Sequence, residues 1–152
     1  MDPELNKSRA FFGRRKGHKL RPNHARLIET LLPRLAVDLT SPAPVGLKAL
    51  FPVPVGDIRL EIGFGGGEFI IAEAESEPGT GFIGVEPFVN GMAKALAAIE
   101  SKELHNVRLH FDDAVSLIAW LPDKSLARID LIHPDPWPKR SEERRVGKEC
   151  SS

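Results

Sequence analysis

The chain is poor in cysteine, has no long apolar run and carries no net charge. Its single cysteine, Cys150, excludes an internal disulfide and indicates a reducing compartment. No apolar run approaches the roughly 18 residues that a membrane span requires. The opening residues, MDPELNKSRA, lack the apolar segment of a secretory signal. Together with 41% hydrophobic and 28% charged residues, these absences predict a cytoplasmic globular protein of one domain without a membrane partner.

A zero net charge gives no overall field that attracts nucleic acid, but the basic residues are unevenly distributed. The segment from residue 7 to residue 21 holds seven Lys or Arg residues and no acid. Such a block is either a solvated tail or an arm that contacts phosphates. Phe11, Phe12 and His18 lie among the charges and favour the arm. We therefore expect residues 1–21 to form a flexible basic arm.

Histidine and cysteine show no spacing that is typical of a metal site. The five histidines show no paired metal spacing and the lone cysteine adds no second ligand, so we predict no metal. His105 and His110 are expected at the surface or in turns, and Trp120 in the core. The prediction of no metal concerns His18, His24, His105, His110, His133 and Cys150.

From Pro22 onward the pattern predicts a helix, a connector and then regular alternation of strands and helices. Apolar residues recur at helical spacing from Leu27 to Leu35, and Pro33 should bend this helix or shift its start. Four prolines make residues 41–56 a connector without an element of its own. Alternation over 57–139 predicts an α/β fold with a mostly parallel sheet and helices on both faces. The predicted segments are DIRLEIG, GEFIIAEAES, GFIGVE, VNGMAKALAAIESK, NVRLHF, AVSLIAWL and ARIDLIH.

The first strand runs into a glycine-rich loop, EIGFGGGEF. Gly63, Gly65 and Gly67 allow a tight turn that a ligand can approach closely, although a plain glycine turn is the alternative. A dinucleotide fingerprint needs glycine where Glu68 stands, and a carboxylate there is a poor neighbour for a pyrophosphate. A zwitterionic amino-acid tail, such as the methionine part of S-adenosylmethionine, suits an acid. Glu61, just before the first glycine, fits the same chemistry.

Acids also follow the second and third predicted strands. Glu86 ends the second strand, where a carboxylate can accept hydrogen bonds from both ribose hydroxyls. After the third strand, Asp113 can accept from an adenine amino group, and Asp112 is expected to cap the next helix. In open α/β sheets, ligands bind beyond the carboxyl ends of the strands. The acids and the glycine spacing therefore favour an S-adenosylmethionine pocket over a nicotinamide pocket.

The fourth predicted strand ends in HPDPWPK. Prolines fix such a loop, so little conformational entropy is lost when a ligand binds. A rigid loop of this kind can hold Trp137 against a base and place Asp135 within hydrogen-bond reach of it.

Taken together, LEIGFGGGEF, FIGVEPF, HFDDA and PDPWPK, preceded by RKGHKLRPNHARLIETLLPRL, resemble the bacterial tRNA (guanine-N7-)-methyltransferase family over about residues 10–139. The resemblance implies a Rossmann-like class I S-adenosylmethionine-dependent fold, and methyl transfer to N7 of the variable-loop guanine of tRNA, position 46 in tRNA numbering. It also implies roles for particular residues. Cofactor contacts are implied for Glu61, Gly63, Gly65, Gly67, Glu86, Asp113 and Asp135, catalysis for Asp135, and substrate contacts for Trp137 and Lys139.

The last residues, RSEERRVGKECSS, depart from the family pattern, which continues with more basic residues and further strands. A common sequencing adapter beginning AGATCGGAAGAGC translates in frame as Arg-Ser-Glu-Glu-Arg. We therefore expect residues 140–152 to be an assembly artefact fused to a truncated gene, with a genuine divergent C-terminus as the alternative. An incomplete C-terminal half would leave the central strand exposed, bind the cofactor weakly and support little activity.

Two other functions stay open at this stage. One is a nicotinamide-dependent oxidoreductase with the same type of sheet, which Glu68 disfavours and which leaves the Pro-Trp loop without a role. The other is a tRNA-binding or non-functional fragment without catalysis. The sequence does not determine the oligomeric state, for which a monomer is the working expectation.

Overall fold

The computed structural model describes residues 20–132. Within this range, four strands alternate with helices, as the sequence predicts. The strands are β1 (Ile58–Ile62), β2 (Gly81–Val85), β3 (Val107–His110) and β4 (Arg128–Leu131). The helices are α1 (Pro22–Thr30), α2 (Leu32–Leu35), α3 (Glu68–Ser76), α4 (Val89–Lys102) and α5 (Ala114–Trp120).

The strands form one parallel sheet in the order β3-β2-β1-β4. Leu60 of β1 pairs in register with Ile83 of β2 on one side and Ile129 of β4 on the other. Along the chain, β2 pairs with β1 and β3 pairs with β2, so the sheet first grows in one direction. The next strand, β4, then pairs with the other side of β1. This reversal creates a crevice at the carboxyl ends of β1 and β4, where ligands bind in folds of this type.

The two faces of the sheet are covered by different helices. One core cluster packs α1 to α4 against Phe82, Val107 and Leu109. The other packs α5 and the connector against Ile58, Leu60 and the remaining apolar residues of β2. All five residues of β2 are buried, whereas all four of β4 are only half-buried. The prediction of a parallel sheet with helices on both faces is confirmed.

Two local predictions about the N-terminal segment have different outcomes. The helix that begins at Pro22 is interrupted at Leu31, because Pro33 has no N–H to donate to the preceding turn. This break is the effect expected of Pro33. The connector, however, contains a short 3-10 helix, Leu47–Leu50, so the prediction that it holds no element is wrong. Leu47 is buried there, and burial of an apolar anchor is enough to order one turn despite the flanking prolines.

The structure also places two residues whose positions were predicted from the sequence, His110 and Trp120. His110 is buried at the end of β3, so its expected place at the surface is wrong; burial lowers its pKa, although Asp112 and Asp113 act in the opposite direction. Trp120 packs against the second cluster as expected, and its Nε1 donates to the carbonyl of Ser41 at 2.6 Å. None of the helices within residues 20–132 is long and apolar enough to cross a bilayer.

Candidate functional site

The glycine-rich loop between β1 and α3 has an unusual backbone. Gly63, Gly65 and Gly67 have φ values of +72°, +62° and +86°, in the left-handed region that side chains other than glycine rarely adopt. The N–H groups of Gly63 and Phe64 both donate to the carbonyl of Val85, which ties the loop to the end of β2. The three glycines predicted from the spacing are therefore the three that the conformation requires.

Glu86, directly after β2, is the side chain that holds this loop. Its Oε1 accepts from the N–H of Gly65 at 2.7 Å, and its Oε2 accepts from the N–H of Phe88 at 3.0 Å. The side chain is only 4% exposed, so its charge is offset by backbone donors rather than by water. A carboxylate has about four acceptor positions, so these bonds are compatible with additional hydroxyl donors. The sequence predicts Glu86 as a ribose ligand, which stays a prediction, and it did not indicate that Glu86 anchors the loop.

Glu61 has different surroundings. It lies within β1, in register with Gly84 and Asp130, and its side chain is completely buried on the face that α3 covers. Neither of its carboxylate oxygens has a hydrogen-bond partner, and neither does Oε1 of Glu73. Burial, together with the neighbouring Glu73 and Asp130, raises the pKa of Glu61 to about 9. A single proton between Glu61 and Glu73 would satisfy one oxygen of each.

The residues around Glu61 form a polar cluster that we define as Glu61, Glu73, Asp130, Arg59 and Arg128. Oxygens of its three acids lie within 4.8 Å of one another, a grouping that no motif in the sequence indicated. Arg128 pairs with Glu73 and with Asp130, and Arg59 lies 3.7 Å from Glu73. Burial acts to raise the pKa of Glu73, but the nearby Glu61, Arg128 and Arg59 outweigh it, so that pKa is lowered. The prediction of no metal stays a prediction.

The third predicted acid, Asp113, lies at the surface and caps α5. Its Oδ1 accepts from the N–H of Val115 at 2.9 Å, whereas Asp112 accepts from the N–H of Asp113 itself. The expectation that Asp112 caps the helix is therefore wrong, because the helix begins one residue later than that assignment needs. The exposed carboxylate of Asp113 stays at the carboxyl edge of the sheet, where the adenine contact is predicted.

Exposed apolar side chains at this edge were not foreseen. Phe69, Phe88 and Val115 lie at the N-terminal ends of α3, α4 and α5, and each is about half exposed. Because each helix begins where a strand ends, all three lie around the same edge as the glycine-rich loop. Apolar residues at helix starts next to strand ends were the signal that could have indicated them. A flat heterocyclic ring can pack against such side chains.

Three predicted site residues, Asp135, Trp137 and Lys139, lie outside the described range of the structure, as do the predictions for His18, His133, Cys150 and residues 140–152. Of the remaining predicted residues, Glu86 and the three glycines come together in one hydrogen-bonded unit. Glu61 lies deeper in the sheet, and Asp113 lies beyond β3. A separate open cavity of about 300 Å³ next to Leu47, Asp57 and Leu126 lies at the opposite edge of the sheet, away from these groups.

Comparisons with known proteins agree with this architecture. Residues 56–149 match the model of a family described as "Putative methyltransferase". A curated tRNA (guanine-N(7)-)-methyltransferase of Rhodopseudomonas palustris (strain BisB18) is 66% identical over 132 residues, 87% of this chain and 53% of that protein. One of Bradyrhizobium diazoefficiens is 60% identical over 140 residues, 91% of this chain and 59% of that protein. The chain thus spans about half the length of the curated relatives it matches.

Solved structures share the fold at low sequence identity. An S-adenosylmethionine-dependent methyltransferase from Thiobacillus denitrificans in complex with S-adenosyl-L-homocysteine matches with a TM-score of 0.53 and 14% identity, over 99% of this chain and 52% of that one. Phosphoethanolamine N-methyltransferase 2 of Haemonchus contortus matches with a TM-score of 0.54 and 16% identity, over 86% of this chain and 34% of that one. The parallel sheet, the glycine-rich loop and the family match lead to one conclusion: the chain belongs to the methyltransferase family whose model it matches.

Proposed function

We propose that this chain carries the cofactor-binding part of a tRNA (guanine-N7-)-methyltransferase, which uses S-adenosylmethionine to methylate N7 of a guanine in the variable loop of tRNA, position 46 in tRNA numbering. The similarity to curated enzymes with this name supports the reaction and the substrate. The observation on which the cofactor assignment depends is the carboxylate of Glu86, which is buried at the end of β2 and hydrogen-bonded to the glycine-rich loop.

The chemistry of this edge fits S-adenosylmethionine. Glu86 supplies carboxylate acceptors where the ribose hydroxyls are predicted, and Phe88 supplies an exposed ring next to it. The turns at Gly63 and Gly65 expose backbone where a ligand can approach closely. Asp113 adds an exposed acceptor beyond β3 for an amino group. Glu68 at the start of α3 disfavours the pyrophosphate of a nicotinamide cofactor.

The reaction class places few demands on acid–base chemistry. When bound, S-adenosylmethionine supplies a methyl group on a positively charged sulfur, so the N7 lone pair of guanine can form the bond to carbon while the C–S electron pair returns to sulfur. Guanine N7 carries no proton, so no general base is required for the attack. The residues of this chain would contribute positioning and electrostatic stabilisation of the cationic purine.

Asp135 and Trp137, predicted on the loop after β4, would carry that role, with Lys139 against the tRNA. A carboxylate at Asp135 stabilises a cationic purine better than an amide does, so Asp135→Asn should lower turnover without changing cofactor affinity. Full turnover of this variant would contradict the role. A substrate of this kind also favours a cytoplasmic location for the enzyme.

The direct test is transfer of a tritiated methyl group to tRNA by the protein expressed from the reading frame that encodes this sequence. We expect 7-methylguanosine in the nucleoside digest at a low yield, because the chain carries only the cofactor-binding part, and no label when the variable-loop guanine of the tRNA is replaced by adenine. Calorimetry with S-adenosylhomocysteine and NAD separates the rival cofactor assignments. Binding of NAD alone would favour the oxidoreductase, and cofactor binding without methyl transfer would favour a non-catalytic tRNA-binding role.

A further inference from the structure

Helix α4 packs directly against the glycine-rich loop, and its contact residues are small. A Cβ atom added at Gly91, on the first turn of α4, would lie 2.2 Å from the carbonyl oxygen of Gly65 and 2.8 Å from its carbonyl carbon. Both are backbone atoms, so no side-chain rotation relieves the overlap. Ala95 lies one turn after Gly91 on α4, and a Cβ added at Gly67 of the loop would lie 2.9 Å from its Cβ. The loop and the helix are therefore in backbone contact at Gly65.

The same contact adjoins the carboxylate that anchors the loop. The Cβ position of Gly91 lies 3.4 Å from Cγ of Glu86, whose Oε1 accepts from the N–H of Gly65. Gly65 is thus held on one side by Glu86 and limited on the other by Gly91. A side chain at position 91 must push the loop away from α4 and lengthen the bond between Gly65 and Glu86, or move the start of α4 itself.

We propose that Gly91 is a positioning residue for the cofactor site. Because Gly91 has no side chain, the glycine-rich loop can lie directly against α4, and the N–H of Gly65 stays within hydrogen-bond distance of the Glu86 carboxylate. This inference rests on the proposed cofactor, but its structural part does not depend on a ligand. Gly91 touches no reacting atom and acts only through Gly65 and Glu86. Glycine is unfavourable in a helix by up to about 1 kcal/mol relative to alanine, and the contact with Gly65 gives a physical reason for glycine at position 91.

The test compares Gly91→Ala with Gly79→Ala in the full chain. Gly79 lies in the turn before β2, and a Cβ there meets nothing within 4 Å, so this variant is the matched control. We expect Gly91→Ala to move the Gly65 amide proton upfield and speed its hydrogen exchange about tenfold, since its charge-assisted bond lengthens. S-adenosylhomocysteine affinity should fall by about tenfold or more, while Gly79→Ala changes none of these quantities.

Alanine has a higher helix propensity than glycine, so the substitution by itself should stabilise α4. This provides an internal check on the cause of any change at Gly65. A Gly91→Ala protein that stays folded with a disturbed Gly65 amide supports the proposal. Unchanged amide shift and exchange, or affinity within twofold of the parent, would overturn it. Failure to fold would also overturn it, because the contact would then support the whole domain and not the loop. If the parent chain binds no S-adenosylhomocysteine, the proposed cofactor fails while the amide measurements still decide the role of Gly91.

Discussion

Glu61 and Glu86 are both buried acids next to the glycine-rich loop, yet they are stabilised in opposite ways. Both oxygens of Glu86 accept backbone N–H groups, so its negative charge is solvated by the protein. Neither oxygen of Glu61 has a partner, and Glu73 and Asp130 lie close to it. The difference shows that burial alone does not determine the charge of an acid. The hydrogen-bond donors around it decide whether it stays ionised or takes up a proton.

The largest effect is expected at Glu86, because its charge holds the loop. Glu86→Ala should lower the affinity for S-adenosylhomocysteine by about 100-fold, since the N–H groups of Gly65 and Phe88 lose their acceptor and the predicted ribose contact is lost. Calorimetry measures this change. Glu75→Gln, at an exposed position on α3, is the control and should bind as the parent does. Affinity within threefold of the parent would show that the loop does not depend on this carboxylate.

The second effect concerns Glu61, whose carboxylate oxygens have no hydrogen-bond partner. Here the substitution should stabilise the protein, whereas the substitution of Glu86 should impair it. Folding raises the pKa of Glu61 from 4.5 to about 9, so the folded chain binds a proton that the unfolded chain releases. The stability that this group contributes is present below about pH 4.5 and is lost as the pH rises toward 9. Glu61→Gln keeps the shape of the neutral acid but does not titrate, and should raise the free energy of unfolding at pH 8 by about 4 kcal/mol.

Denaturant unfolding of both proteins across this pH range measures that difference. The parent should lose stability relative to Glu61→Gln between pH 5 and pH 8, and the two should converge at pH 4.5. A parent that is more stable than the variant at pH 8 would mean that Glu61 is ionised and solvated. Because a neutral Glu61 resembles glutamine, the variant should also lose less than about tenfold in S-adenosylhomocysteine affinity, well below the loss at Glu86.

A smaller effect is expected at Asp113, where capping and ligand binding can be separated. Asp113→Ala removes the acceptor for the N–H of Val115 and should cost about 1 kcal/mol of stability. Asp113→Asn keeps a capping oxygen and should cost little. If Asp113 also contacts the adenine amino group, both variants should change S-adenosylhomocysteine affinity in the order Ala more than Asn. A stability loss without any change in affinity would leave Asp113 as a cap alone.

The smallest effect is expected for an exposed acid, which completes the comparison. Glu100 pairs with Arg26 at 3.1 Å between α4 and α1, and both side chains are about half exposed. Water already solvates these charges, so Glu100→Gln should change the free energy of unfolding by less than about 0.5 kcal/mol. A loss of more than 1 kcal/mol in thermal or denaturant unfolding would show that the pair is coupled to the packing of the two helices.

Much of the fold could be predicted from the sequence because its signals are local. Proline and glycine mark the ends of the elements, and apolar periodicity marks the strands and helices, so the predicted α4 has the observed limits. Gly63, Gly65 and Gly67 were identifiable because alternating glycines between a strand and a helix have few other uses. The anchoring bond of Glu86 was not, since it depends on which backbone N–H groups the folded loop turns toward that carboxylate.

Two of the missed features, the acids around Glu61 and the burial of His110, come from contacts between residues distant in sequence. The acids around Glu61 are 12 and 69 residues further along the chain, and only the pairing of β1 with β4 and the packing of α3 bring them together. His110 resembles a turn residue until β3 is paired with β2, which places His110 beside Val85 and buries it. The choice between Asp112 and Asp113 as cap depended on a helix boundary of one residue, which periodicity does not resolve.

The central claim is that the loop held by Glu86 forms the site of S-adenosylmethionine. Calorimetric titration of the parent chain, Glu86→Ala and Glu75→Gln with S-adenosylhomocysteine tests it most directly. We expect binding with one-to-one stoichiometry in the parent and in Glu75→Gln, and a loss of about 100-fold in Glu86→Ala. Absence of binding in the parent, or equal affinity in the parent and Glu86→Ala, would contradict the claim.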